Sequence, residues 1–193
     1  MKKILQKNEK VLRQIAKEVS IGGIKTKKIK NILKEMSLAL QSQNDGVAIA
    51  APQIGYSLRI FIVSGKMLKA GFSGRDVSQG DGPTRPFSPE RSDGGRGGNA
   101  KDLVFINPKI SKLSRKKEWV PEGCLSVRPL YGKTFRSTKA TVVACDENGK
   151  RITRGASGLL AQIFQHETEH LDGILFIDHA KEIKAELPQK HVK

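Results

Sequence analysis

Apolar residues recur at three-to-four-residue spacing in three stretches of the chain, the pattern that lines one face of a helix. Val11, Leu12, Ile15, Ala16 and Val19 form the first such face, with Lys10, Arg13 and Lys17 off it. The sequence therefore predicts an amphipathic helix over Val11–Val19 with a basic outer side. The second covers Lys25–Leu40, with Ile29, Ile32, Leu33, Met36 and Leu40 on one face. The third carries Leu159, Leu160, Ile163, Phe164, Glu167 and Leu171, with Ser157 placed as N-cap and Gly173 as stop. Strand-like runs lie at Arg59–Val63, Leu103–Ile106 and Lys139–Ala144. The last leads through Glu147-Asn148-Gly149 into Arg151-Ile152-Thr153, a hairpin signal. This mixture predicts an α+β fold in which antiparallel or mixed strands pack around the third helix.

Residues 65–101 break the pattern. Eight glycines from Gly71 to Gly98, together with Pro83, Pro86 and Pro89, leave too few apolar residues to build a core. The reading is a single catalytic domain over residues 1–193, with a mobile insertion at about 65–101 and a basic tail from about residue 180. At 193 residues and 37% hydrophobic content the chain suffices for one sizeable core. It has no apolar run long enough to span a bilayer, and Met-Lys-Lys is followed by polar residues rather than a signal-peptide core. Two cysteines provide no disulfide framework, and Cys145 reads as a strand residue in a reducing compartment.

Charge changes the picture more. Thirty-five Lys and Arg against nineteen Asp and Glu give a net +16, with much of the excess in the first 35 residues and around Lys112–Lys117. A solvated lysine face accounts for part of this. An RNA-rich surface such as the ribosome would be attracted by the rest. Sequence-specific nucleic-acid reading is not expected, since there are no interleaved aromatics, RNP-like strand or zinc-finger spacing.

The candidate chemistry sits on the third helix. In His166-Glu167-Thr168-Glu169-His170 two imidazoles stand four residues apart, so both can reach one metal ion, and Glu167 is placed to exchange a proton with a water there. A third ligand is needed. The spacing of one metalloprotease class puts Phe176 at that position, which cannot bind metal. Glu182 or Glu186 downstream would give a peptidase-like set, but both lie in a lysine-rich stretch that reads as solvated. Upstream, Cys124 in Glu122-Gly123-Cys124-Leu125-Ser126 offers a thiolate, and one Cys with two His leaves an open fourth position.

Three motifs now stand in order: Gly46-Val47-Ala48-Ile49-Ala50-Ala51-Pro52-Gln53, Glu122-Gly123-Cys124-Leu125-Ser126, and Gln165-His166-Glu167-Thr168-Glu169-His170-Leu171-Asp172-Gly173. Together they resemble the peptide deformylase family, from about Leu12-Arg13 to Asp178. The resemblance implies metal ligands Cys124, His166 and His170, with Glu167 as general acid and base. It implies oxyanion donors from the Gln53 side chain and the Leu125 backbone N–H. The methionine pocket would be formed by Val47, Val120 and Ile163, with Gln162 at its rim. The peptide backbone would pair with Gly46–Ala48 on one side and residues after Leu125 on the other. The implied reaction is release of formate from N-formylmethionyl nascent chains by a monomer holding one divalent ion. Fe(II) is favoured, with zinc, nickel and cobalt compatible with the donors. The implied setting is a bacterial-type cytoplasm or a bacterium-derived organelle, with no membrane partner. The competing expectations are a zinc endopeptidase of unusual ligand set and an inactive, basic ribosome-associated protein.

Two departures from the family pattern concern the site. Ala48 replaces a usual Gly and adds a methyl group beside the substrate-pairing edge, which narrows the cleft. Glu169 replaces a usual Asp, and the acid at this position is expected to pair with Arg136 and support the histidine helix.

Overall fold

The computed structural model describes residues 2–66, 75–76 and 101–185. The expected insertion, apart from its margins and residues 75–76, lies outside the described residues, as do the tail beyond residue 185 and Glu186.

In chain order, α1 (Lys27–Gln41) precedes β1 (Ala48–Ala50), β2 (Ile60–Val63), β3 (Arg75–Asp76) and β4 (Leu103–Leu113). There follow β5 (Lys117–Gly123), β6 (Leu130–Ser137), β7 (Lys139–Cys145), β8 (Arg151–Ser157), α2 (Gly158–Leu171) and β9 (Lys181–Ala185). One antiparallel sheet of six strands has the order β1-β2-β4-β7-β8-β3. A second has three strands in the order β5-β6-β9.

The strand β2 shows how the layers are built. All four of its residues are buried. Alternation sends Phe61 and Val63 to one face, where they meet Phe105, Leu160, Ile163 and Phe164, the last three from α2. Ile60 and Ile62 go to the other, against Ile29, Ile32, Met36 and Leu40 of α1. The large sheet is thus sandwiched between the two helices. Phe61 stacks on Phe105 at 4.6 Å, and Phe105 meets Phe164 edge-on at 5.2 Å. Each such buried ring contributes on the order of 2–3 kcal/mol, which fixes the histidine helix against the sheet.

α1 forms where periodicity predicts it, started by Thr26, whose hydroxyl accepts from the Ile29 N–H. α2 likewise follows Ser157, although that side chain makes no cap hydrogen bond. Gly173 ends it at φ +75°, and a Cβ there would lie 2.8 Å from the Arg13 carbonyl carbon. The predicted hairpin closes through Asp146–Lys150, with Gly149 at φ +76°.

The N-terminal helix expected at Val11–Val19 does not form. Lys10–Arg13 makes one 3-10 turn and the chain then runs extended. Its backbone groups find partners elsewhere. Ala16 N–H donates to Leu171 O, Lys17 N–H donates to Ser57 O, and Arg59 N–H donates to Lys17 O. Asn107 brackets Val19, accepting from its N–H at 2.8 Å and donating to its carbonyl at 2.7 Å. Leu12, Ala16 and Val19 are buried as the periodicity suggested, but Ile15 is 74% exposed. Part of the basic tail is also ordered differently from expectation, because Lys181–Ala185 pairs with β6 as a strand.

Candidate metal centre

Cys124 follows β5, while His166 and His170 lie one turn apart on α2. Their ligand atoms fall within 4.8 Å of one another. The Cys124 Sγ is 3.1 Å from His170 Nε2. Nδ1 of His166 is 2.8 Å from Oε1 of Glu122, which leaves its other nitrogen for the centre. Nδ1 of His170 and Oε2 of Glu167 are buried without a partner. A thiolate, two imidazoles and a buried, unpartnered carboxylate oxygen beside them fit one divalent ion.

The surrounding charges are coupled. Burial would raise the Glu122 carboxyl, but hydrogen bonds from His166 and Arg136 hold it well below the ordinary range. Burial would lower His166, yet hydrogen bonds to Cys124 and Glu122 raise it well above the usual imidazole value. Burial and the neighbouring His166 push His170 well below it. Glu167 is raised to about 7, mainly by burial and in smaller part by Glu122, against the opposing attraction of His166. A carboxyl near neutrality is suited to taking and returning a proton.

Arg136 organises the second layer. Its Nη2 lies 2.6 Å from Glu122 Oε1 and 2.7 Å from Glu169 Oε2, and its Nη1 also pairs with Glu169. The expected Arg136–Glu169 contact is therefore present. His179 joins it, with Nε2 3.1 Å from Glu169 Oε2. The longer Glu169 reaches arginine and histidine together. Sequence reasoning gave Glu122 no role; its place as the first residue of the cysteine motif was the available signal.

Gln53 stands beside Cys124. Its Oε1 accepts from Ala50 N–H at 2.8 Å, which turns its amide toward Ser126 Oγ at 3.0 Å and Cys124 Sγ at 3.6 Å. A cavity of about 320 Å³ opens beside them, lined among others by Gly46, Val47, Ala48, Gln53, Cys124, Leu125, Ile163, His166 and Glu167. Val120 is not among its lining residues. It borders a neighbouring cavity of about 200 Å³ that shares Pro121, Leu159 and Gln162 with the first. Leu159 and Tyr131 line the main cavity and were missed. Gln162 turns its amide to Pro121 O and Glu122 Oε2, so its polar end is already engaged.

Among the described residues, neither peptidase-type position supplies a ligand. Phe176 is buried in a separate apolar cluster, and exposed Glu182 pairs with Lys133 at 2.7 Å.

An antiparallel α+β scaffold holding one cysteine and two histidines beside a buried carboxyl and an oriented amide defines a class of single-metal hydrolase. The chain belongs to the polypeptide deformylase family, whose model matches residues 1–186. It is 34% identical over 178 residues to peptide deformylase 2 of Clostridium acetobutylicum, covering 92% of this chain and 94% of that protein. The structure is similar to a peptide deformylase from Synechococcus elongatus in complex with actinonin. The TM-score is 0.71 at 29% identity, covering 94% of this chain and 79% of that one. It is also similar to a Met-Ala-Ser-bound class I type b deformylase from Acinetobacter baumannii. There the TM-score is 0.70 at 28% identity, covering 91% and 97%.

Proposed function

We propose that this enzyme hydrolyses the formyl group from N-formylmethionyl polypeptides, with Cys124, His166 and His170 holding one divalent ion. The observation that carries the assignment is the convergence of Gln53, Glu167, Cys124 and His166 on one cavity, with His170 completing the donor set beside it, within a chain of the deformylase family. When bound, the ion supplies Lewis acidity and lowers the pKa of water, and we assign Fe(II) natively, with zinc, nickel and cobalt able to substitute.

The chain's own residues do the rest. Glu167 removes a proton from the water that attacks the formyl carbon. Negative charge developing on the formyl oxygen is met by the Leu125 backbone N–H and by the Gln53 amide, which its bond from Ala50 N–H orients before reaction. Glu167 then delivers its proton to the amine nitrogen as the C–N bond breaks, leaving formate and a free N-terminus.

The strand β1 lies at the edge of its sheet, with Gly46 and Val47 just before it, so a peptide backbone can be added along Gly46–Ala48. The methionine side chain occupies the apolar floor of Val47, Leu159 and Ile163. The peptide Met-Ala-Ser bound to the Acinetobacter baumannii relative is the product such a reaction releases from formyl-Met-Ala-Ser. The enzyme works as a monomer on nascent chains in a bacterial-type cytoplasm or an organelle of bacterial origin, drawn to the ribosome by its positive charge.

Mass spectrometry after incubation with formyl-Met-Ala-Ser, its acetyl counterpart and a longer unmodified peptide tests the proposal. Formate and free Met-Ala-Ser are expected, with little action on the acetyl peptide and no internal cleavage. Internal fragments without formate would establish a peptidase, and no product from any of the three a non-enzymatic protein.

A further inference from the structure

The outer face of the β5–β6–β9 sheet takes no part in the chemistry above. Strand alternation puts Lys117, Trp119 and Pro121 beside Lys133 and Phe135 on this face, with Trp119 in register with Phe135. The rings touch, with centroids 5.2 Å apart and planes tilted by 36°, yet Trp119 stays 44% exposed and Phe135 50%. Cross-strand pairing explains their contact with each other. It does not explain the cations around them. Lys181 of β9 holds its Nζ 4.9 Å from the centroid of Trp119, and Lys117 stands 5.9 Å from that of Phe135. Arg115 and Lys116 lead into Lys117, and Lys184 pairs in register with Tyr131. The carboxylate of Glu182 is engaged by Lys133.

We infer that this face docks a single-stranded segment of RNA, whose bases stack on Trp119 and Phe135 and whose phosphates meet Lys117, Lys181, Arg115 and Lys116. Half-exposed rings, each with the flexible end of a lysine over it, provide sequence-tolerant stacking and backbone neutralisation together, because a base that takes the ring face leaves the displaced ammonium beside its phosphate. Charge favours this occupant, because a net +16 repels a second copy of the chain and attracts a polyanion. An acidic protein would satisfy the cations but offer no series of π faces. An anionic membrane takes up protruding apolar wedges, whereas these rings lie packed on each other across a sheet. Pro121, Gly123 and Tyr131 carry the same sheet to the mouth of the catalytic cavity. RNA held here would lie beside the incoming peptide. The inference rests on the reading of the substrates as nascent chains, which are made on RNA.

Trp119 is the only tryptophan in the chain, so its fluorescence reports on this face alone. Titration of the metal-loaded enzyme with an oligouridylate of about twelve nucleotides should quench it saturably, and added salt should weaken binding. Trp119→Leu and Phe135→Leu should each weaken the affinity for fluorescein-labelled RNA by about 5- to 100-fold. Lys117→Gln with Lys181→Gln should reduce the salt slope by roughly one to two. Formate release from a short formyl-Met peptide, measured on the same samples, should stay unchanged in all variants, which separates failure of RNA binding from failure of the catalytic reading. Undiminished RNA affinity in folded Leu variants would overturn the inference. So would equal quenching by heparin or polyglutamate, tighter uptake by phosphatidylglycerol vesicles, or self-association that buries Trp119.

Discussion

Glu122 joins His166 to Arg136: one carboxylate oxygen lies 2.8 Å from the imidazole Nδ1 and 2.6 Å from the guanidinium Nη2. Arg136 continues the chain to Glu169, and Glu169 to His179 at the surface. A ring that must present one nitrogen to an ion is thereby held through the other.

Glu122→Gln keeps an acceptor for His166 but removes the charge that orients it. Metal affinity, measured by chelator competition, should fall by about 10- to 100-fold while the fold persists. Unchanged affinity would show that helix packing alone sets the ring.

Arg136→Ala leaves Glu122, whose side chain is only 3% exposed, without its cation. Removing one partner of such a pair costs about 3–5 kcal/mol, so the melting temperature and metal occupancy should both drop. Arg136→Met combined with Glu122→Gln should recover stability relative to Arg136→Ala, because no buried charge is then left unpaired. If Arg136→Ala melts and binds metal normally, the network does not support the site.

Glu167→Gln retains all three metal donors but cannot shuttle a proton. Formate release should fall by about 10²- to 10⁴-fold at normal metal content. Near-normal turnover from a folded, loaded variant would remove Glu167 from the reaction.

The same residue gives the metal-free protein a defined pH dependence. Its carboxyl titrates at about 7 in the fold against an ordinary 4.5, so between these values the folded state keeps a proton that the unfolded chain has lost. Its contribution is fully present below pH 4.5 and is lost as pH rises to about 7. Glu167→Gln stays neutral throughout. Its stability relative to the native sequence should increase across that window by on the order of 3 kcal/mol and then level off. Denaturant melts of chelator-treated proteins on either side of the window check this, and a constant difference would count against it.

Gly173→Ala should lower the melting temperature by several degrees. Residue 173 sits at φ +75°, and the new Cβ would meet the Arg13 carbonyl. The strain and the clash together cost at least about 1 kcal/mol. Circular dichroism melts measure it, and an unchanged midpoint would mean that the Arg13 turn yields freely.

The sequence by itself determined the elements whose order is local. His166 and His170 share a face because one helical turn separates them. α1 follows from its apolar stripe, and the β7–β8 hairpin from Asn148-Gly149 between two apolar runs. The three motifs also carried the donor set and Glu167. The tertiary structure decided what depends on partners distant in the chain. The stretch Val11–Val19 carries a helical pattern, yet Leu171, Ser57 and the side chain of Asn107 take its backbone hydrogen bonds and hold it extended. Val120 was assigned to the methionine pocket by resemblance, and in the fold it lines a neighbouring cavity that shares Pro121, Leu159 and Gln162 with the main one. Trp119 and Phe135 are far apart in sequence and show no interleaving there. The register of β5 on β6 makes them one surface. Periodicity encodes which face of an element is apolar, while the pairing of strands and the capture of free backbone groups are properties of the assembled fold alone.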